Sequence, residues 1–415
     1  MEQQRRLHKE TLEDVALFGG PPLFSAPLHV GQLNLPDWPR FEAAFQGIFR
    51  RRYFTNHGPL VKKAEEKLAP YLGGKHAVCM ANGTLAIMAA VEALGLTGKI
   101  IVPAFTFPAT VQALTWAGLT PVFCDVDPDT HLITASLASE LIHDDVRAIL
   151  GVHLWGRSCD IDGLQSLAHA KGIRLLFDAA HAAGCTYEGK PIGDFGDIAI
   201  FSFHATKVLN GVEGGCVTTN SDEIAAKLRT IRNFHSLETL APVPLRMNAK
   251  MSEAQAAMAL LSLEDQAEII KANKKRYETY RKKLILPGID MIIYDETERN
   301  NYQYVVVEVD SEKSELTRND LVRLLGAESV LARRYFTPGA HRIQPYRDQF
   351  PQYIDSLPAT DMLGERLMQL PSGQAISVLD INDICSLITF YLKNASEIRK
   401  RITKMSNSSS ISNTL

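Results

Sequence analysis

Between residues 60 and 220 the apolar positions switch repeatedly between a helical and an extended period. Val61, Ala64, Leu68 and Leu72 recur on one face, which predicts an amphipathic helix over Val61–Leu72. Ala77–Met80 reads as a short strand, Ala81–Thr84 as a turn, and Thr84–Gly95, rich in Ala, Leu and Ile, as a helix. Further strands are expected at Ile100–Pro103, Pro121–Asp125, Ala148–His153, Arg174–Asp178, Ile198–Phe203 and Cys216–Thr219. Helices are expected between them at Ala109–Ala117 and Ile161–Lys171. Apolar strands alternating with helices predict an α/β fold, a largely parallel sheet with helices on both faces. Ligands of such sheets gather at the C-terminal ends of the strands.

The flanks are patterned differently. Before residue 60, Pro21, Pro22, Pro27, Pro36 and Pro39 punctuate short apolar pieces, so residues 1–60 read as an arm without long regular elements. From Ser252 a helical pattern runs to about Leu284 and stops at Pro287-Gly288, which predicts a long helix bridging two domains. Strands at Met291–Tyr294 and Tyr302–Val309, helices at Leu316–Leu325 and Ile381–Arg401, and an Arg-, Tyr- and Pro-rich loop over Arg333–Arg347 describe a smaller α/β domain. The expected division is an arm over 1–60, a large domain over 61–265, a small domain over 266–402 and a tail over 403–415, Ser/Asn-rich and disordered.

Composition narrows the class. A chain of 415 residues exceeds one typical domain. Hydrophobic and charged contents of 46% and 22% are those of a soluble globular enzyme, and a net charge of −3 offers no basis for nucleic-acid binding. The six cysteines form no CxxC pair and lie mostly in apolar runs, so they read as reduced core residues of a cytoplasmic protein, not as disulfides or a metal site. Met1–Glu13 has no apolar signal core, and no run is long and apolar enough to span a bilayer.

Lys207 carries the candidate chemistry. It lies between the apolar strand ending at Phe203 and the glycine-rich turn Asn210–Gly215. Desolvation there lowers an amine's pKa and makes it a nucleophile toward carbonyls. Four features join it. Asn82-Gly83-Thr84 opens a helix, where backbone N–H groups favour a phosphate, though taken alone an ordinary N-cap fits better. Asp178 ends an apolar strand in Asp178-Ala179-Ala180-His181 and, if buried, needs a cationic or hydrogen-bonding partner. Phe107 stands at another strand end, able to stack on a flat ring or simply to pack. Ser202, five positions before the lysine, can offer its hydroxyl to a phosphate. Nucleophilic lysine, strand-end carboxylate, phosphate-ready helix start and stacking aromatic together describe a pyridoxal 5'-phosphate site.

Asn82-Gly83-Thr84, Pro103–Thr110, Asp178–His181, Ser202–Lys207 and Glu213-Gly214-Gly215 occur in the order seen in the DegT/DnrJ/EryC1/StrS sugar aminotransferases, which the chain resembles from about Phe18 to Tyr391. Thr55–Pro59, Val152–Arg157 and Arg232–His235 are similar to the branch acting on dTDP-4-keto-6-deoxyglucose. The resemblance implies an aspartate-aminotransferase type I fold, a homodimer with shared active sites, and transfer of an amino group from L-glutamate to C4 of a nucleotide-linked keto sugar. It implies that Lys207 holds the cofactor as a Schiff base and serves as general base, and that Asp178 keeps the ring nitrogen protonated. Phe107 is implied on the ring face, Gly83, Thr84 and Ser202 on the phosphate, His181 at the ring and Asn233 on the partner's phosphate. Arg333, Arg334, His341 and Arg342 are cationic candidates for the nucleotide diphosphate, or a solvated basic loop.

The chain departs from the family in three places. Asn82 replaces a common Ser. Asn248-Ala249-Lys250 replaces a common Asn-Tyr-Arg, leaving Lys250, a point charge without the guanidinium fork, as candidate for the donor carboxylate. His235 stands where the branch often has Gly. Transfer to a 3-keto sugar or an aminocyclitol ketone stays open as an alternative. A pyridoxamine-phosphate-dependent sugar dehydratase would lack Lys207, and a cofactor-binding regulator would need a DNA-binding extension that neither end displays.

Overall fold

The computed structural model describes residues 9–31, 33–234 and 241–412. The strands are β1 (His76–Met80), β2 (Lys99–Pro103), β3 (Thr120–Cys124), β4 (Val146–Val152), β5 (Arg174–Asp178), β6 (Thr186–Tyr187), β7 (Lys190–Pro191), β8 (Ile198–Ser202), β9 (Gly215–Thr219), β10 (Ile289–Met291), β11 (Val305–Val309), β12 (Arg333–Arg334) and β13 (Leu367–Leu370). Seven form one sheet in the order β1-β9-β8-β5-β4-β2-β3. The pairings from β8 to β3 are parallel, and β9 runs antiparallel to both β8 and β1. The reversal places the start of β9 beside the ends of its neighbours, with Gly215 opposite both Met80 and Ser202. Strands β1, β2, β4, β5 and β8 therefore end at one edge, and β6 and β7 make a separate small hairpin.

The expected strands of this sheet appear within two residues of their predicted ends, because each is a largely apolar run, mostly buried on both faces. The helices differ more. A helix over Trp38–Arg51 occupies the stretch expected to lack long elements. Pro39 sits in its first turn, where a proline has no N–H to lose and its fixed φ suits the helix. The long helix expected from Ser252 is two, Glu253–Glu264 and Gln266–Lys283. They meet at Asp265 (φ −92°, ψ −1°), whose carboxylate takes two bonds from Arg40 at 2.7 and 2.9 Å. The final helical pattern is likewise split at Asn394, and its second helix, Ala395–Ser412, extends into the Ser-rich tail.

The second sheet, β10-β11-β13-β12, is antiparallel throughout, with Val306 and Leu367 in the larger core and Val305, Val307 and Met368 in a second apolar core. Val15 and Phe24 of the N-terminal stretch are buried in that core. Fully buried Glu328 holds them there by accepting from the Ala16 and Leu23 N–H groups at 2.8 and 2.7 Å and pairing with Lys9 at 3.0 Å. The segment after β12 returns to the large sheet. Phe336, Ala340, Tyr346 and Leu363 join the larger core, and the helix Pro358–Arg366 is capped from afar by Asp125, which accepts the Ala359 and Thr360 N–H groups at 2.9 and 2.8 Å.

Candidate active site

Every strand of the converging edge contributes to one cavity of about 560 Å³. After β1, Asn82 caps the helix Gly83–Ala93 by accepting the Leu85 N–H at 2.8 Å. Gly83 and Thr84, whose N–H groups precede the first intrahelical bonds, line the cavity. A Cβ built on Gly83 would stand 3.2 Å from the Ser202 Cβ, so glycine allows helix start and serine to close into one cradle.

After β2, Phe107 precedes the helix Pro108–Trp116 and keeps half its surface open (51% exposed) within the cavity lining. An apolar ring left open at the cavity, edge-on to Phe336 at 6.3 Å, is placed to receive a flat ligand. After β5, the Asp178 carboxylate is buried. Its Oδ2 accepts from Thr110 Oγ1 at 2.8 Å and its Oδ1 from the Ala180 N–H at 3.0 Å. Burial pushes this carboxyl above its ordinary range, against the pull of these two donors and of Lys207. His181 is buried too, with its Nδ1 accepting the Trp155 N–H at 3.2 Å and its ring stacked on Trp155 at 5.9 Å. Burial, and then the nearby Lys207, keep the imidazole neutral.

After β8, a tight turn presents Lys207, whose N–H donates to the His204 carbonyl at 2.8 Å. The next residue is fixed on both backbone groups. The Val208 N–H donates to Gln303 Oε1 at 2.7 Å, and its carbonyl accepts from Gln266 Nε2 at 2.9 Å. The Lys207 amine is lowered to about 8 by burial, with Asp178 acting in the opposite sense. Half of it is therefore an uncharged nucleophile at mildly alkaline pH.

Seven expected cofactor residues, Gly83, Thr84, Phe107, Asp178, His181, Ser202 and Lys207, line this cavity together, as does Arg333. Arg333 donates to the Tyr335 hydroxyl at 2.8 Å. The set suits pyridoxal phosphate: a helix-start cradle for a phosphate, an amine for the aldehyde, and a buried carboxylate whose paired donors are both neutral, where a pyridinium N–H fits.

The other expected residues lie elsewhere. His341 is corrected: it is fully buried against Phe123 at 6.3 Å, and burial holds it below its ordinary pKa, so it offers no charge to a diphosphate. Arg342 is also corrected, since Asp361 occupies its fork with two contacts of 2.6 Å. Arg334 is exposed and paired in register with Met368, outside the cavity lining. Lys250 does not line its own chain's cavity. Its Nζ donates to Asn248 Oδ1 at 2.6 Å and lies 4.4 Å over the Phe234 ring, close in sequence to Asn233. Asn233 bridges to Asn248 on the same edge, and His235 lies outside the described residues.

Sequence reasoning missed Tyr304, Tyr335, Thr110 and Glu213 as lining residues. Glu213 and Thr110 stand within motifs that carry no separate signal for them, and the tyrosines lie past residue 300 in stretches with no local signal.

The model of the DegT/DnrJ/EryC1/StrS aminotransferase family matches residues 39–389. The dTDP-4-amino-4,6-dideoxy-D-glucose transaminase of Shigella dysenteriae is 35% identical over 321 residues, covering 77% of this chain and 87% of its own. The GDP-perosamine synthase of Caulobacter vibrioides is 31% identical over 343 residues, covering 81% and 91%. Among solved structures, DesI in the presence of its TDP-sugar product superposes with a TM-score of 0.91 at 41% identity, covering 95% of this chain and 100% of that one. S. venezuelae DesV in complex with a ketimine intermediate superposes with a TM-score of 0.79 at 26% identity, covering 85% and 94%.

Proposed function

The chain belongs to the DegT/DnrJ/EryC1/StrS aminotransferase family, and from that premise we propose that it transfers an amino group from L-glutamate to C4 of dTDP-4-keto-6-deoxyglucose. The observation that carries the chemistry is a buried lysine amine, lowered to about 8, in one cavity with a buried carboxylate and a phosphate-ready helix start. The names of the Shigella relative and of the DesI complex support the choice of sugar, an amine at C4 on a dTDP-linked 6-deoxy skeleton and a TDP-sugar product.

Pyridoxal phosphate, when bound, supplies an electron sink for the carbanion left by loss of an α-proton. The chain's residues do the rest. Lys207 Nζ would anchor the cofactor and would serve as the base that takes and returns the donor's α-proton. Asp178 keeps the ring nitrogen protonated. Gly83, Thr84 and Ser202 hold the phosphate, Phe107 covers one ring face and His181 packs near the ring. Arg333 meets the anionic part of the substrates.

A second copy of the chain completes the site. Trp38, Phe49, Phe54 and Phe234 are exposed aromatics that support such an interface, and Asn233 and Lys250 then serve the partner's cavity. Charge at the rim of a shared site suits the diphosphate better than one chain's Arg333 alone.

The test is spectroscopic first. Purified protein with cofactor should absorb near ~410–430 nm and shift to ~330 nm on adding L-glutamate, as lysine Schiff-base chemistry requires. The sugar assay follows, with matched 3-keto and 4-keto dTDP sugars. Preference for the 4-keto sugar supports the proposal, and turnover of the 3-keto sugar alone overturns the choice of C4. No cofactor band at all overturns the reading.

A further inference from the structure

The Lys207 amine donates across the cavity to Tyr304 Oη at 3.1 Å. Tyr304 immediately precedes β11 and is held from several sides. Its carbonyl accepts from the Tyr294 hydroxyl at 3.0 Å, and its ring lies 4.4 Å from His181 and 5.4 Å from Trp155. Its neighbours are pinned as well. Gln303 Oε1 holds the Val208 N–H at 2.7 Å, and Asn301 Nδ2 donates to the His181 carbonyl at 2.8 Å and the Ala183 carbonyl at 3.1 Å. Residues 301–304 are thus bonded both to the turn that carries Lys207 and to the turn that carries His181. The distance between phenol and amine is set by backbone and amide contacts on both sides. Burial keeps the phenol well above its ordinary pKa, so it retains its proton throughout the working range.

We propose that Tyr304 is a catalytic residue of the transamination, its phenol oxygen receiving an N–H of Lys207 whenever that amine is free, so that Nζ exchanges protons with the bound amino acid from one fixed position. This rests on the aminotransferase reading. The proton balance is simple. Nζ gains the α-proton and becomes an ammonium, one N–H stays on Tyr304, and the same nitrogen gives a proton back. Tyr304 keeps its own O–H. A hydrogen bond from an ammonium is stronger than one from a neutral amine, so the phenol favours the charged form and opposes the effect of burial on Lys207.

The test is Tyr304→Phe, which keeps the ring against His181 and Trp155. In cofactor-free protein, acetylation of Lys207 by a pulse of acetic anhydride, read by peptide mass spectrometry, should rise with pH through about 8 in the wild type. In the variant the rise should move to lower pH by about one pH unit, the loss of one charge-assisted bond. With cofactor, kcat should fall roughly 10- to 100-fold while the KM for glutamate holds within about twofold. The isotope effect of α-deuterated glutamate should grow. If Tyr304→Phe does not fold, 3-fluorotyrosine at the same position weakens the acceptor with the shape retained, and should move the curve the same way by less. A labelling curve that superposes on the wild type overturns the inference and leaves the aminotransferase reading intact. Displaced curves with no glutamate turnover in either protein overturn that reading, and the catalytic role with it.

Discussion

Two carboxylates are buried to nearly the same depth and driven in opposite directions. Asp178, at the cavity floor, is 6% exposed, and Glu65, on the helix Pro59–Leu72, is 7% exposed. Burial alone would raise both. Around Glu65, the Arg232 guanidinium and His57 overcome it and hold the carboxyl down to about 2. Arg232 bonds Glu65 Oε1 directly, His57 Nε2 lies 3.1 Å from Oε2, and the Cys79 N–H donates at 3.0 Å. Asp178 has neutral donors and a distant amine, and its carboxyl stays raised. The difference separates a carboxylate whose counter-charge is part of the chain from one whose counter-charge is expected to arrive with a ligand. The first contributes to stability, and the second is a cost retained for function.

The largest effect is expected from Lys207→Ala, which removes the amine proposed as both anchor and base. Turnover should fall on the order of 10⁴-fold, and the band near ~420 nm should not form on adding pyridoxal phosphate. Residual turnover near the wild-type rate would remove Lys207 from the mechanism.

Asp178→Asn comes next. Turnover should drop on the order of 10³-fold, since the charge proposed to face the ring nitrogen is lost. Stability should move the other way. A group whose folded pKa is raised costs stability progressively as pH rises above its ordinary value of 3.8, and the cost is complete above the raised pKa. The cofactor-free variant should therefore match or exceed the wild type by about 1 kcal/mol at neutral pH in urea titrations.

Glu65→Gln should behave oppositely, with binding chemistry intact and about 3 kcal/mol of stability lost, because Arg232 is left buried and unpaired. The sign follows from a depressed pKa. The contribution of Glu65 is complete above its ordinary value of 4.5 and lost as pH falls toward about 2. Wild type and variant should thus converge in acid. A neutral Glu65→Gln at pH 7 would end the contrast. The smallest effect is expected from Thr110→Val, which removes one donor from Asp178 and should lower turnover about tenfold, near 1 kcal/mol, with the cofactor spectrum kept.

Much of the site was legible because its residues attach to strong local patterns. Asp178 and Ser202 end apolar strands and Lys207 closely follows one, while Gly83, Thr84 and Phe107 stand at helix starts, so hydrophobic periodicity places each near one edge. The cationic rim was less legible. His341 and Arg342 read as a basic loop, yet one is buried under Phe123 and the other is spent on Asp361. A charged or titratable letter carries no mark of whether its partner is solvent, substrate or another side chain. The helix at Trp38–Arg51 was hidden for a related reason: its proline reads as a breaker unless it falls in the first turn.

The sequence by itself determined the alternation of strands and helices, the edge at which ligands gather, and the identity of the lysine and aspartate placed there. These follow from local periodicity and from what each strand carries at its end. The tertiary structure decided which groups act on them. Thr110 reaches Asp178 across 68 residues and Tyr304 reaches Lys207 across 97. Such contacts join segments far apart in sequence that the larger core packs together, and the raised carboxyl and lowered amine depend on the water that packing excludes. Burial and long-range partners are properties of the folded chain as a whole, and no window of neighbouring residues contains them.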